Sequence, residues 1–561
     1  MEIKPIAPSF AASPQLMPDD VQRAAEAGYR TIVCNRPDGE AGDQPTAAAI
    51  SEAARRAGLE FRYLPVKSGQ VTEAALKGFD DIVDTCKGPI LAYCRTGNRS
   101  ATLWALARSR RLSPQAIMAA TKAAGYDLSG HAAQMEERFS GEPVRASSTR
   151  FDVLIMGGGA GGVSVAASLL KRRPNLSIAI VEPRDDHFYQ PGWTLVGAGV
   201  FDAATTRRRM GEVLPDRVRW IRGAIAEFHP EADEVVLEDG ARYGYSILIV
   251  SPGLKLDWEA VEGLPETLGQ NGVTSNYRFD LAPYTWQLAQ GLNTGKAIFT
   301  QPPMPIKCAG APQKAMYLSA DHWRSRGVLG DIDIEFCNAG GVLFGVADYV
   351  PALMEYVKAY DITLSFNENL VKVDGPGKVA TFKVTEGEQT RLVEKPFDML
   401  HVCPPQTGLD VMKASPLTNA AGWVDVDQST LQHTRFANIF GMGDGCSTPN
   451  AKTAAAVRKQ APVVAVNALA VMDGKRPVAS YDGYGSCPLT VERGKIVLAE
   501  FLYGGKVAPS FPKWLIDGTR PTRAAWFLKE RLLPPMYWQG MFKGREYLVK
   551  PRLAFEKIGD S

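Results

Sequence analysis

Val153-Leu154-Ile155-Met156-Gly157-Gly158-Gly159-Ala160-Gly161-Gly162 is the stretch that decides the fold of the larger part of this chain. Four consecutive apolar residues read as a buried strand, the glycines after them as a tight turn, and 163–171 as the helix that leaves it. The spacing Gly157-x-Gly159-x-x-Gly162 lets backbone approach a pyrophosphate closely, and the helix N-terminus favours its negative charge. Glu182 follows the next strand, 177–181, where its carboxylate can accept hydrogen bonds from an adenosine ribose. A glycine pattern alone is weak evidence; strand, turn, helix and acid in this order point to a dinucleotide.

Residues 137–150, just before this stretch, are polar, contain Gly, Pro and Ser and lack apolar periodicity, so they read as a linker. The chain of 561 residues is too long for one core. The expected division is 1–136, a linker at 137–150, a tandem dinucleotide-binding region at 151–480 and a C-terminal region at 481–561. The N-terminal module alternates strands (31–34, 61–66, 89–93) with helices (47–57, 73–86, 100–109), as a small α/β domain with a parallel sheet does. Downstream, 246–250 and 332–336 read as strands.

Two distant segments extend the dinucleotide reading. Ile247-Leu248-Ile249-Val250-Ser251-Pro252-Gly253 is an apolar strand ending in a turn, and Ile439-Phe440-Gly441-Met442-Gly443-Asp444 ends another in small residues and an acid. The arrangement resembles the two-dinucleotide-binding-domain flavoproteins, which implies FAD as cofactor, Gly253 at its site and Asp444 against its ribityl chain. Lys452, soon after, is placed to stabilise charge at a reduced flavin; a solvated lysine at a helix start is the plainer alternative. A nicotinamide site would need a second glycine turn. The candidate, Cys337-Asn338-Ala339-Gly340-Gly341-Val342-Leu343-Phe344-Gly345, lacks the spacing, so the second domain is expected to keep the fold without binding NAD(P)H.

Eight cysteines are scattered along the chain without CxxC pairs or zinc spacing, so no metal site is expected. Position singles out Cys308, after Lys307 and before a helix at 313–320, and Cys446, two residues beyond Asp444. Cys34, Cys86, Cys337, Cys403 and Cys487 read as small buried hydrophobes. Pro305-Ile306-Lys307-Cys308-Ala309-Gly310-Ala311-Pro312-Gln313-Lys314, with 421–427, 450–456 and Tyr481-Asp482-Gly483-Tyr484, closely resembles the mitochondrial-type branch of sulfide:quinone oxidoreductases, over about 151–550. The resemblance implies that sulfide attacks a bridged cysteine pair, that one cysteine keeps a persulfide, and that electrons pass through FAD to quinone. It matches Cys308 to the first cysteine and Cys446 to the second. In the animal branch a cysteine directly follows the aspartate; Gly445 stands there in this chain, and Cys403 in 401–405 is the fallback.

The tail mixes bulky apolar and basic residues in Trp514-Leu515-Ile516, Trp526-Phe527-Leu528-Lys529, 531–538 and Phe542-Lys543. That composition suits an amphipathic segment at a membrane surface, as a membrane-dissolved quinone requires; packing on the protein's own core is the alternative. No apolar run is long enough to span a bilayer and the chain opens Met1-Glu2-Ile3-Lys4-Pro5 without a secretory pattern, so the expected location is peripheral, on the cytoplasmic face of the inner membrane. The net charge of +2 indicates no nucleic-acid partner; homo-oligomerisation stays open.

A second sulfur site is expected in the N-terminal module. Cys94-Arg95-Thr96-Gly97-Asn98-Arg99-Ser100 joins a strand to a helix, with a cysteine first and an arginine near the end. Such a loop cradles an anion with backbone N–H groups and lowers a thiol pKa. Four residues between cysteine and arginine is rhodanese spacing; protein tyrosine phosphatases have five. With Asn35-Arg36-Pro37-Asp38-Gly39-Glu40, the module resembles the phosphatase-like sulfurtransferases found beside β-lactamase-like hydrolases, over about 3–110. That implies a persulfide on Cys94, and glutathione or sulfite as the acceptor of sulfane sulfur. The competing readings are a phosphatase with Asp38 as general acid, a non-catalytic sulfur-docking module, and, for the flavin part, an NADH:quinone oxidoreductase. The expected fold class is thus α/β, a small phosphatase-like domain before a tandem Rossmann-type flavoprotein with an amphipathic C-terminal region.

Overall fold

The computed structural model describes residues 2–7, 10–86, 88–109, 112, 114–139 and 149–553. Most of the expected linker therefore lies outside the described residues; of its ends, 137–138 close the helix Ala132–Arg138 and 149–150 open the strand Thr149–Met156. The chain divides into two compact units, one of 1–150 with the short segments 181–183 and 221–244, the other of the remainder.

The first unit holds a five-stranded sheet in the order Lys4–Ala7, Phe10–Ser13, Ile90–Tyr93, Thr31–Cys34, Glu60–Tyr63. Only the outermost pair, Lys4–Ala7 with Phe10–Ser13, is antiparallel; the other pairings are parallel. Alternate residues point to opposite faces, as the period of two demands. Val33 and Ala92 join a core with the helix Asn98–Arg108, while Ile32, Cys34, Leu91 and Tyr93 join another with Val21, Ala24, Ile50 and Ala54. Strands covered on both faces read as unbroken apolar runs. That is why 31–34 and 90–93 were legible, and why the two short N-terminal strands and the helix Pro18–Glu26 were not.

Thr149–Met156 sits in a seven-stranded sheet between Ile178–Val181 and Arg242–Val250, and Ile439–Gly441 pairs with the latter in parallel, Leu248 opposite Ile439. The helix Ala160–Arg172 packs on the helix Ala454–Met472 through Val163, Ala166, Leu169, Val457, Ala461 and Val464. A second parallel sheet has five strands, in the order Val273–Thr274, Met399–His401, Gly295–Gln301, Ile332–Asn338, Ile362–Phe366. Two Rossmann-type sheets are thus present. After Ile332–Asn338 no helix starts at once. Asn338 closes a local turn, its side chain donating to Val342 O (2.9 Å) and accepting from Gly340 N (2.8 Å), and the next α-helix is Val350–Ala359.

The tail departs from a simple interfacial stripe. Trp514 (84% exposed), Leu515, Phe527 and Leu532 face outward, whereas Lys529, Tyr537, Trp538 and Phe542 are buried, the last three in the core of the first sheet. The same mixed composition serves both ends, which is why sequence could not separate them.

Candidate functional site

The glycine turn is packed too tightly for any other residue at two of its positions. A Cβ on Gly157, whose φ is +95°, would stand 2.3 Å from Ser251 O, and one on Gly162 would stand 1.9 Å from Gly157 O. Gly159, at the N-cap of Ala160–Arg172, meets nothing within 4 Å: the space beside this helix start is open, as close approach of a pyrophosphate requires. Glu182 is buried directly after Ile178–Val181, and Gly253, with φ of +72°, also borders open space.

Gly443 N–H donates to Gln460 Oε1 (2.8 Å), fixing the turn that carries the half-buried Asp444. Lys452 is not a solvated lysine. It is buried, its Nζ donates to Asp444 O (2.7 Å) and Cys446 O (3.0 Å), and it lies over the Trp423 ring at 4.3 Å. Burial pulls its ammonium below the usual lysine range. Its own carbonyl accepts from Cys308 N (2.9 Å), tying Cys308 to the aspartate turn.

Cys308 has φ of +53°, which for a residue other than glycine costs on the order of 1–3 kcal/mol. The bond to Lys452 O and the donation of Ala311 N–H to Cys308 O (2.7 Å) hold it there. The sulfur it presents is 3.6 Å from Cys487 Sγ and receives Lys314 Nζ at 3.1 Å. The Cys487 hydrogen bond and the Lys314 charge together outweigh burial and hold the Cys308 thiol well below the usual range. Donating its S–H to the Cys308 sulfur pushes the Cys487 thiol up, with burial adding to it.

The structure thus brings the Cys308 sulfur beside that of Cys487, a residue that reads in sequence only as a small buried hydrophobe, while the expected partners stand as follows. Cys446 is buried; a Cβ on Gly441 would stand 2.9 Å from its sulfur, Val424 and Val426, and burial pushes its thiol up to about 12. Its sulfur lies beside Val424, Val426 and Gly441, while its carbonyl accepts from Lys452. Cys403 shares a cluster with Cys308, Tyr277 and Ile306, but its sulfur is met by Gln406 Nε2 (3.8 Å), and burial pushes it up to about 12 as well. Cys487 sits on Gly485–Glu492, opposite Ala499 on Lys495–Phe501, just beyond the Tyr481–Tyr484 segment that carried the family likeness. The signal was there; distance in sequence from Asp444 hid it.

Gly310 seals the pair from behind: a Cβ there would stand 2.5 Å from Cys487 Sγ and 2.4 Å from Leu489 Cδ2. Gly310→Ala displaces Cys487 and is expected to slow any reaction that uses the pair by about 10²-fold, as misplacement near 1 Å does, with flavin content unchanged. Steady-state rates normalised to flavin absorbance check this.

In the N-terminal unit, Cys94 is buried at the end of Ile90–Tyr93, and Gly97, at φ of +86°, caps Asn98–Arg108. Arg95, Thr96 and Asn98 are exposed along the loop. Arg99 donates to Val66 O (2.6 Å) and Asn35 O (3.2 Å) and pairs with Glu40 (3.0 Å); Ser100 Oγ donates to Asn35 Oδ1 (2.9 Å). Burial opposes ionisation of Glu40, but Arg99 and Arg36 hold its carboxyl below the usual range. Asp38 acts as a turn residue, its Oδ1 accepting Ala47 N–H at the start of Ala47–Arg56 (2.7 Å).

Comparison with known proteins fits both parts. Residues 2–111 match the model of the phosphatase-like domain of β-lactamase hydrolase-like proteins. The mitochondrial sulfide:quinone oxidoreductase of Mus musculus is 39% identical over 71% of this chain and 88% of that protein; that of Dictyostelium discoideum is 41% identical over 70% and 86%. The solved sulfide:quinone oxidoreductase of Aquifex aeolicus, 18% identical, shares the fold with a TM-score of 0.59 over 71% of this chain and 92% of that one. FAD is the cofactor, and the open space at Gly159, the buried Glu182 and the Asp444 turn fit it. The chain belongs to the sulfide:quinone oxidoreductase family and carries at its N-terminus a phosphatase-like domain of the β-lactamase hydrolase-like kind.

Proposed function

We propose that this chain oxidises sulfide at the Cys308–Cys487 pair, delivers the electrons through FAD to quinone, and hands the sulfane sulfur to glutathione or sulfite. The observation that carries the reading is the 3.6 Å sulfur–sulfur approach with Lys314 Nζ 3.1 Å from Cys308. When bound, FAD supplies a two-electron acceptor that quinone can reoxidise.

The chain's residues supply the rest. In the bridged pair, sulfide attacks the Cys487 sulfur: the Cys308–Cys487 bond breaks and a bond from Cys487 to the incoming sulfur forms. Cys308 leaves as thiolate because its thiol is the lower of the two and Lys314 stabilises the charge; the better leaving thiol departs faster. Cys487 then carries the persulfide. Glutathione or sulfite takes its outer sulfur, as glutathione persulfide or thiosulfate, and leaves a Cys487 thiol. Re-forming the bridge yields two electrons and two protons for the quinone, so sulfide, acceptor and quinone give sulfane product and quinol.

The tail supports a peripheral place on the membrane that dissolves the quinone, at its cytoplasmic face: exposed Trp514, Leu515, Phe527 and Leu532 stand among exposed Lys513, Arg523 and Arg531. Among the described residues no helix is long and apolar enough to cross a membrane. The N-terminal module fits a sulfurtransferase that loads sulfane sulfur on Cys94 in the backbone cradle before Asn98–Arg108. Tethering raises the local concentration of what the flavin part releases.

The test is quinone reduction by sulfide, with analysis of the sulfur product, against NADH as donor. Sulfide is expected to drive turnover with glutathione or sulfite present, and NADH is not, since the segment after Asn338 forms a side-chain-closed turn rather than a glycine cradle. Turnover with NADH alone would overturn the reading in favour of an NADH:quinone oxidoreductase.

A further inference from the structure

The mechanism above leaves one buried charge at the cysteine pair unused. Lys529 is 5% exposed, in a wide π turn spanning Leu528–Leu532. Its neighbours fix its place. Trp526 packs against Leu195, Ala198 and Leu318, and Leu318 lies one helical turn beyond Lys314. Leu528 packs against Ile496 and Leu498, and Leu498 pairs with Pro488, the residue after Cys487. Lys529 thus arrives between the helix that bears Lys314 and the strand that bears Cys487.

A buried ammonium ordinarily has a carboxylate beside it. Among the described residues none pairs with Lys529. Its hydrogen bond goes to Thr194 Oγ1, at 3.4 Å, and Glu530 is turned aside to accept from the Trp526 indole (2.9 Å). The groups that act on its charge are Lys314, Cys308 and Cys487. A lysine so placed is suited to the neutral form, and a neutral amine in a dry site is a base.

The geometry points to Lys529 as the proton acceptor for sulfide, receiving a proton from neutral hydrogen sulfide as its sulfur attacks Cys487. The proposal rests on the Cys308–Cys487 reading. Its balance is simple: hydrogen sulfide, the amine and the bridged pair give the Cys487 persulfide, the ammonium and the Cys308 thiolate. One hydrogen stays on the persulfide, one moves to Lys529, and the broken disulfide takes the electron pair. Neutral hydrogen sulfide enters a dry pocket more easily than its anion, and the ammonium formed there offsets the new thiolate. Burial, with Lys314 beside it, brings the Lys529 amine down to about 7, so it can give and take a proton near neutrality.

The experiment is the pH profile of kcat/KM for sulfide, normalised to flavin absorbance, in the wild type, Lys529→Met, Lys529→Arg and Thr194→Val. The wild type should give a bell, its acid limb set by Lys529 losing its proton and its alkaline limb by loss of neutral hydrogen sulfide. Lys529→Met should fall by about 10²-fold at the optimum, the usual worth of a positioned base, and rise monotonically with pH as the sulfide anion takes over. Lys529→Arg keeps the charge but accepts no proton, and should be as slow as Lys529→Met. Thr194→Val removes the oxygen that accepts from the ammonium and should move the acid limb to lower pH, a readout that holds even if Lys529→Met folds poorly. Restored rate in Lys529→Arg, or an unshifted acid limb in Thr194→Val, overturns the proton-acceptor role. Either outcome leaves Cys487→Ser unable to reduce the flavin with sulfide, whereas failure of the cysteine-pair reading leaves that variant active.

Discussion

Replacing Cys487 with serine lowers sulfide-dependent quinone reduction by at least about 10³-fold, as loss of one member of a catalytic unit does. Serine cannot form the bridge that sulfide opens or carry a persulfide, while its hydroxyl fits the space of the thiol beside Gly310 and Leu489. Cys308→Ser should be as inactive. The informative contrast is Cys446→Ser. That sulfur lies among Val424, Val426 and Gly441, so a hydroxyl there costs about 1–3 kcal/mol of stability for want of a partner, with turnover nearly unchanged. Flavin-normalised rates and thermal unfolding of the three variants separate the two kinds of cysteine. A fully active Cys487→Ser would sink the assigned pair.

The second large effect belongs to the other module. Cys94→Ser should abolish transfer of sulfane sulfur from thiosulfate to cyanide and leave quinone reduction by sulfide unaffected, because the flavin site contains both of its own cysteines. The physical reason is the loop: a thiol buried at the strand end, Gly97 in a left-handed conformation to turn the chain, and Arg99 held by Val66 O, Asn35 O and Glu40 at the start of Asn98–Arg108. A phosphatase would instead hydrolyse p-nitrophenyl phosphate, with Asp38, whose Oδ1 accepts Ala47 N–H, as its candidate general acid. Robust phosphatase activity with no sulfur transfer in the wild type would reverse the assignment. Unchanged sulfur products in Cys94→Ser would favour a docking role.

The parts of this molecule that were legible in sequence are those in which local chemistry and tertiary placement coincide. The run from Val153 to Gly162 announces itself because each glycine answers a contact or an opening made within a short stretch of chain, and Thr31–Cys34 and Ile90–Tyr93 because both of their faces are covered. The proposed cysteine pair is only half legible in sequence. Cys308 stands in a distinctive segment, but its partner comes from an antiparallel hairpin whose register, Cys487 opposite Ala499, no local pattern encodes. Proximity to Asp444 in sequence favoured Cys446, and the turn that Lys452 clamps sends that sulfur into the core instead. Lys529 misled for a related reason: beside Phe527 and Leu528 it reads as one more basic residue of an interfacial stripe. The π turn that rotates it inward is decided by what Trp526 and Leu528 pack against.

The central claim is that Cys308 and Cys487 form the bridge that sulfide opens. Mass spectrometry of the air-oxidised protein, digested without reductant before and after one equivalent of sulfide under anaerobic conditions, tests it most directly. The expected result is a cross-link between the Cys308 and Cys487 peptides, lost on addition of sulfide as the Cys487 peptide gains one sulfur atom. A cross-link from Cys308 to Cys446 or Cys403, or free thiols at Cys308 and Cys487 in the oxidised protein, would contradict it.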